Sequence, residues 1–167
     1  MTLPTQFSIR KGTLADVNAI ARFNINIARE TEGITLLADV ISSGVRNLMA
    51  RPERGFYLVV EAADGDSDSN IAASLMVTTE WSDWRNGTFW WIQSVYVAPA
   101  WRRNGLYRMM YEQVKTLATA DQNVCGFRLY VEKDNEVAQA TYQSMGMLRT
   151  HYQMFEELTP GREFEET

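Results

Sequence analysis

The chain has 167 residues, 46% apolar and 22% charged, with 21 acidic residues against 16 Lys plus Arg and a net charge of −5. That composition describes one folded domain, residues 1–167, long enough to bury a substantial core, and it lacks the basic footprint of a nucleic-acid binder. One cysteine and one histidine exclude an internal disulfide and any zinc site of the Cys/His kind. Cys125 reads as a small buried hydrophobe and His151 as structural.

In chain order, Met1–Lys11 has no apolar core of signal-peptide length. No stretch approaches the roughly 20 apolar residues of a membrane span, so a cytoplasmic protein without membrane contact is expected. Phe7–Arg10 reads as a short strand. Thr13-Leu14-Ala15-Asp16 resembles a capping box with Asp at the return position. Leu14, Val17, Ala21, Ile25 and Ala28 keep helical spacing to Gly33, a C-terminal stop. A second helix is predicted over Ala38–Met49, closed by Arg51-Pro52. Phe56–Ala62 and Ile71–Thr79 are strands around the polar turn Asp64–Asn70, which lacks the terminal Glu of an EF-hand loop. Asn86-Gly87 is a hairpin signal that returns the chain as a strand over Trp90–Val97. A helix over Gly105–Thr119, a strand over Phe127–Glu132, and a helix capped by Asp134 or Asn135 and stopped by Gly146 follow. Leu148–Leu158 is expected to be the last strand, and Glu163–Thr167 a frayed acidic tail.

The stretch with the strongest functional signal is Trp90–Tyr111. Pro99 ends strand pairing, and Arg102, Arg103, Asn104 and Gly105 form a basic loop. Leu106, Met109, Met110, Val114 and Leu117 then repeat at helical spacing. A helix N-terminus presents unpaired N–H groups, and two arginines with a glycine suit it to phosphate or pyrophosphate. An Arg-Arg pair before a helix is also a common solvated loop. The spacing is neither a dinucleotide fingerprint nor a P-loop.

The run V-x-V-x-P-x-x-R-R-x-G, Val95–Gly105, resembles the acyl-CoA-binding motif of GNAT-type N-acetyltransferases. In the family loop Q/R-x-x-G-x-G/A, Arg102 and Gly105 match, whereas Tyr107 stands at the last position. A second stretch, N-E-V-A-Q-A-T-Y-Q-S-M-G-M over Asn135–Met147, is similar to the family pattern N-x-x-A-x-x-x-Y-x-x-x-G-F/M. The resemblance implies a mixed, mostly antiparallel α/β sheet of six to seven strands, splayed centrally and flanked by four helices. It implies acetyl-CoA as cofactor and an amine acceptor, either a small molecule or a peptide or protein amine.

By that resemblance, backbone groups of the Val95-Tyr96-Val97 strand hold the pantetheine arm. Backbone N–H groups of Arg103, Asn104, Gly105, Leu106 and Tyr107 hold the pyrophosphate, with charge from Arg102 and Arg103. The Tyr107 ring must then point away from phosphate. Tyr142 matches the general acid for the departing thiolate; on residues alone it is a core aromatic beside Ala138 and Met145. Asn135 either touches the cofactor or caps its helix. Acyl transfer to an amine also calls for a proton acceptor, and Glu80 is the first choice. Asp83, Glu30 and Glu32 are further carboxylates for the base or for a cationic substrate. Trp81 and Trp84 form either an aromatic wall for the acceptor or a dimer contact, so a homodimer is one outcome. Trp90 and Trp91 point to opposite faces, so at most one lines the cleft. The rival reading is a non-catalytic acyl-CoA-binding regulatory module of the same fold.

Overall fold

A computed structural model describes residues 6–63 and 70–166. All but Asn70 of the expected Asp64–Asn70 turn therefore lies outside the described residues. The elements are β1 (Phe7–Lys11), α1 (Val17–Glu32), α2 (Ala38–Met49), β2 (Gly55–Ala62), β3 (Ile71–Ser82), β4 (Gly87–Val97), α3 (Leu106–Thr119), β5 (Val124–Arg128) and α4 (Glu136–Ser144). The strands form one sheet in the order β1-β2-β3-β4-β5. Neighbours are antiparallel except β4 and β5, which run parallel.

β2 and β3 carry apolar residues on both faces because both faces are covered. Tyr57, Val59 and Tyr96 pack with Val17, Ile20 and Phe23 of α1 and Val45 of α2. Leu58, Val60, Leu75, Val77, Trp90 and Ile92 face the other way, onto Leu106, Met110 and Val114 of α3.

The entry to α1 is built as its sequence suggested. One 3-10 turn, Leu14–Asp16, precedes α1. The Asp16 carboxylate accepts from the Thr13 N–H at 2.7 Å. Gly33, at φ +70°, closes the helix one turn beyond the expected end at Ala28. Arg10 grips Asp16 with two nitrogens, at 2.7 and 2.9 Å, and reaches Glu61 of β2 at 2.8 Å. This node ties β1, β2 and the start of α1 together.

Two elements differ from expectation. The strand expected over Phe127–Glu132 pairs earlier, over Val124–Arg128, because its ladder with β4 ends at Trp91↔Arg128. Leu148–Leu158 forms no strand: its backbone makes no hydrogen bond with any described residue. Among the described residues the sheet therefore has five strands where six to seven were expected.

Burial pushes the Asp16 carboxyl up, but hydrogen bonds from Arg10 and Thr13 outweigh it and hold it below its ordinary value. A carboxylate held low in the folded state adds stability that is complete above its unfolded pKa, near 4, and lost as pH falls. Asp16→Asn is expected to cost about 2 kcal/mol at neutral pH. It should also flatten the acid limb of the stability curve, which denaturant titrations at about pH 3 and pH 7 would reveal.

Candidate active site

The site begins where β4 stops pairing with β5. Opposite Met76 and Ser74 of β3, β4 carries an irregularity between Gln93 and Tyr96. Ser94 sits there at φ +49°. A bulge of this kind bends its strand and increases its twist. Beyond Trp91, β4 has no partner on its β5 side among the described residues.

The opening is a cavity of about 260 Å³. Its walls include Gln93, Ser94 and Val95 of β4, and Tyr130 and Glu132 of the chain leaving β5. Asn135 and Tyr142 close it from α4. Asn24, Ile27, Ala28, Thr31 and Glu32 close it from one face of α1.

At the far end of β4 the basic loop turns into α3. Arg103 and Gly105 both adopt left-handed conformations, φ +67° and +73°. The first helical bond is from the Met109 N–H to the Gly105 carbonyl, 3.0 Å. The six consecutive N–H groups from Arg103 to Arg108 donate to no acceptor among the described residues. A positive helix end with unpaired donors is a cradle for an anion.

Arg102 does not project freely into that cradle. Its Nη2 pairs with Glu30 at 2.6 Å and its Nε donates to the Val97 carbonyl at 3.0 Å. The Tyr96 hydroxyl also donates to Glu30, 2.8 Å. Hydrogen bonds from Tyr96 and Arg102 hold the Glu30 carboxyl below its ordinary value. Glu30, expected to bind the acceptor, is thus committed to bracing the loop against α1. Tyr96 gives its side chain to the α1 face, so only its backbone is available on the strand.

Tyr142 is half-buried, and burial raises its hydroxyl pKa. Its ring meets Tyr107 edge-on at 5.5 Å between centroids, and Tyr107 stacks parallel to Tyr111 at 6.3 Å. The residue at the family's small position thus turns its ring away from the loop, as expected, and buttresses Tyr142. The Tyr107 hydroxyl is buried without a partner among the described residues. Asn135 caps α4: its Oδ1 accepts from the Ala138 N–H at 3.1 Å.

Glu80 lies elsewhere. With Trp81, Asp83, Trp84 and Trp91 it lines a second cavity of about 370 Å³, which shares Leu129 with the first. Its carboxylate pairs with Arg128, whose guanidinium lies 3.7 Å over the Phe89 ring. The carboxylates on the cavity with Tyr142 are Glu32 and Glu132. Trp81 and Trp84 are exposed, and Trp91 meets Tyr130 at 6.2 Å. Trp90 is core, against Phe56. Cys125 is half-buried, and His151 is exposed against Tyr152.

The i, i+3, i+4, i+7, i+8 row Asn24–Glu32 was visible in the sequence as one helix face. Nothing local said that this face looks at the splay. No helix among the described residues is long and apolar enough to cross a membrane.

The acetyltransferase (GNAT) family profile matches residues 25–147. The crystal structure of a possible acetyltransferase from Clostridium difficile 630 is 42% identical, with a TM-score of 0.82 over 92% of this chain and 98% of that one. A predicted acetyltransferase with acetyl-CoA from Clostridium acetobutylicum shares the fold at 17% identity, TM-score 0.73, over 90% of this chain and 96% of that one. Glucosamine-6-phosphate N-acetyltransferase from Arabidopsis thaliana does so at 20% identity, TM-score 0.66, over 92% and 99%. No curated protein sequence matches the chain.

Tyr107→Phe removes a buried group that makes no hydrogen bond, so stability should hold or rise by about 1 kcal/mol. Thermal unfolding checks this, and a large loss would mean the hydroxyl has a partner in the folded protein.

Proposed function

The chain belongs to the acetyltransferase (GNAT) family, and on that premise we propose that it moves an acetyl group from acetyl-CoA to a primary amine by direct transfer, with both held at once. The observation that carries this reading is a coincidence at one strand end. An open splay, a cradle of six unpaired N–H groups and a half-buried tyrosine meet along β4 and its two flanking helices.

The residues fit the cofactor. The Arg103–Arg108 donors and the Arg102 and Arg103 charges suit a pyrophosphate, and the free edge of β4 at Val95 suits an amide-bearing arm. Acetyl-CoA brings a thioester, so the C–S bond is exchanged for an amide C–N bond while nitrogen loses a proton and sulfur gains one.

Tyr142 keeps its proton at neutral pH, because burial raises its pKa. It is therefore in the form that can protonate a departing thiolate. Glu32, at the end of α1 on the same cavity, is placed to attract a cationic amine and take its proton. Glu80, already paired with Arg128 in the adjoining cavity, takes a structural part or shapes the acceptor's outer end. The acceptor is a small-molecule amine or a peptide or protein amine.

Thiol release across an amine panel tests the reading. Tyr142→Phe is expected to lower kcat by about 100-fold while acetyl-CoA affinity holds, and Glu32→Gln to lower kcat/KM for the amine by about tenfold. Tight acetyl-CoA binding with no thiol release for any amine would favour a binding module instead.

A further inference from the structure

The cavity at the β3–β4 hairpin has a lining that the acetyl transfer proposed above leaves unused. Its volume is about 370 Å³, within the range of small-ligand pockets, ~300–1,000 Å³. Trp81, Trp84, Trp91 and Tyr152 give it four aromatic side chains. Trp81 is 61% exposed, Trp84 84% and Tyr152 65%. The hairpin holds the two exposed tryptophans in place. Trp81 pairs with Thr88 across the ladder, and the Trp84 N–H donates to Asp83 Oδ1 at 2.9 Å. Large rings gathered on a pinned turn, around a cavity, mark a binding surface.

Charge selects the ligand. Glu80 and Asp83 oppose Arg85 and Arg128 around this cavity. Arg128 pairs with Glu80 and lies 3.7 Å from the centre of the Phe89 ring, with Arg85 at 5.1 Å from the same ring. The four charges sum to zero. A second ammonium, or a carboxylate, would meet a like charge beside every opposite one. An uncharged aromatic ring meets no such conflict and packs offset or edge-on against indole.

The cavity also joins the one that holds Tyr142. Leu129 lines both. The Trp91 ring of the outer cavity lies 6.2 Å from the Tyr130 ring of the inner one, between centroids. A ligand spanning the two places an ammonium near Glu32 and Glu132 and its body among the tryptophans.

We propose that the acceptor is a primary amine carried on an uncharged tether by an aromatic ring, with the ring held by Trp81, Trp84 and Trp91. This rests on the amine-acetylation reading above and names its substrate class. Binding the ring in the outer cavity positions the amine at the thioester, so remote contacts serve the reacting centre.

The test measures thiol release from acetyl-CoA by the full chain with four amines of similar length. They are 2-phenylethylamine, hexylamine, 1,5-diaminopentane and 6-aminohexanoate. The aromatic amine should exceed each of the others in kcat/KM by about tenfold. Trp81→Ala and Trp84→Ala should each shrink the preference for 2-phenylethylamine over hexylamine several-fold, and Trp84→Phe should retain most of it. Preference for the diamine, the amino acid or the alkylamine would overturn the proposal while leaving amine acetylation intact. So would an aromatic preference indifferent to both alanine variants, which would leave the tryptophans to a partner surface. Acetyl-CoA binding without thiol release for any amine would overturn the amine reading itself, and this inference with it.

Discussion

A parallel pair of strands that ceases to pair organises this protein. β4 and β5 share a ladder only as far as Trp91↔Arg128. Beyond it, β4 would present unsatisfied backbone groups to a closed core, which is unfavourable. The fold leaves that edge open to a cavity instead. Ser94 in a left-handed conformation costs on the order of 1 kcal/mol, a strain that surrounding packing must hold in place. That packing is visible: Ile92 is 2% exposed and Tyr96 5%, on opposite faces of the same strand. The bulge lets β4 serve the α3 core before and after it while parting from its neighbour between.

Two braces keep the opening in register with the loop that follows it. On the α1 side, Glu30 joins Tyr96 to Arg102 and so fixes the loop to the helix that lines the cavity. On the α3 side, Tyr111, Tyr107 and Tyr142 form a chain of rings from the helix that begins at the loop to the helix that closes the cavity. The Glu30–Arg102 pair is surface-exposed, so its net contribution to stability is small. Its consequence is geometric: Arg102 starts from a fixed position, and an anion arriving at the neighbouring N–H groups competes with Glu30 for it.

Local signals were legible in the sequence, and relational ones were not. The Thr13–Asp16 box, the Gly33 stop and the Asn135 cap involve contacts within one turn, so residue order alone reveals them. The position of Tyr142 came through the second motif rather than its spacing. The end of β5 is not legible locally because it lies where the ladder with another strand stops, at Trp91↔Arg128. Leu148–Leu158 reads as a strand, but a strand exists only with a partner, and its backbone bonds to no described residue. Arg102 announced its charge without its partner seventy-two positions earlier. Glu80 reads as a carboxylate beside the acceptor cleft, and the sheet puts it on the cavity adjoining that of Tyr142. Glu32, at the end of α1, faces Tyr142's cavity because helix and splay pack together.

The proposed function requires acetyl-CoA to bind at the splay and the N–H cradle. Thermal unfolding with and without acetyl-CoA, on wild type and on Arg102→Glu/Gly105→Asp, measures that binding. At about 100 times its dissociation constant, a ligand confined to the folded state adds roughly 2.7 kcal/mol. Wild type should show a clear upward shift that the double variant loses. No shift in wild type at millimolar acetyl-CoA would contradict it and reduce the loop and helix to scaffold.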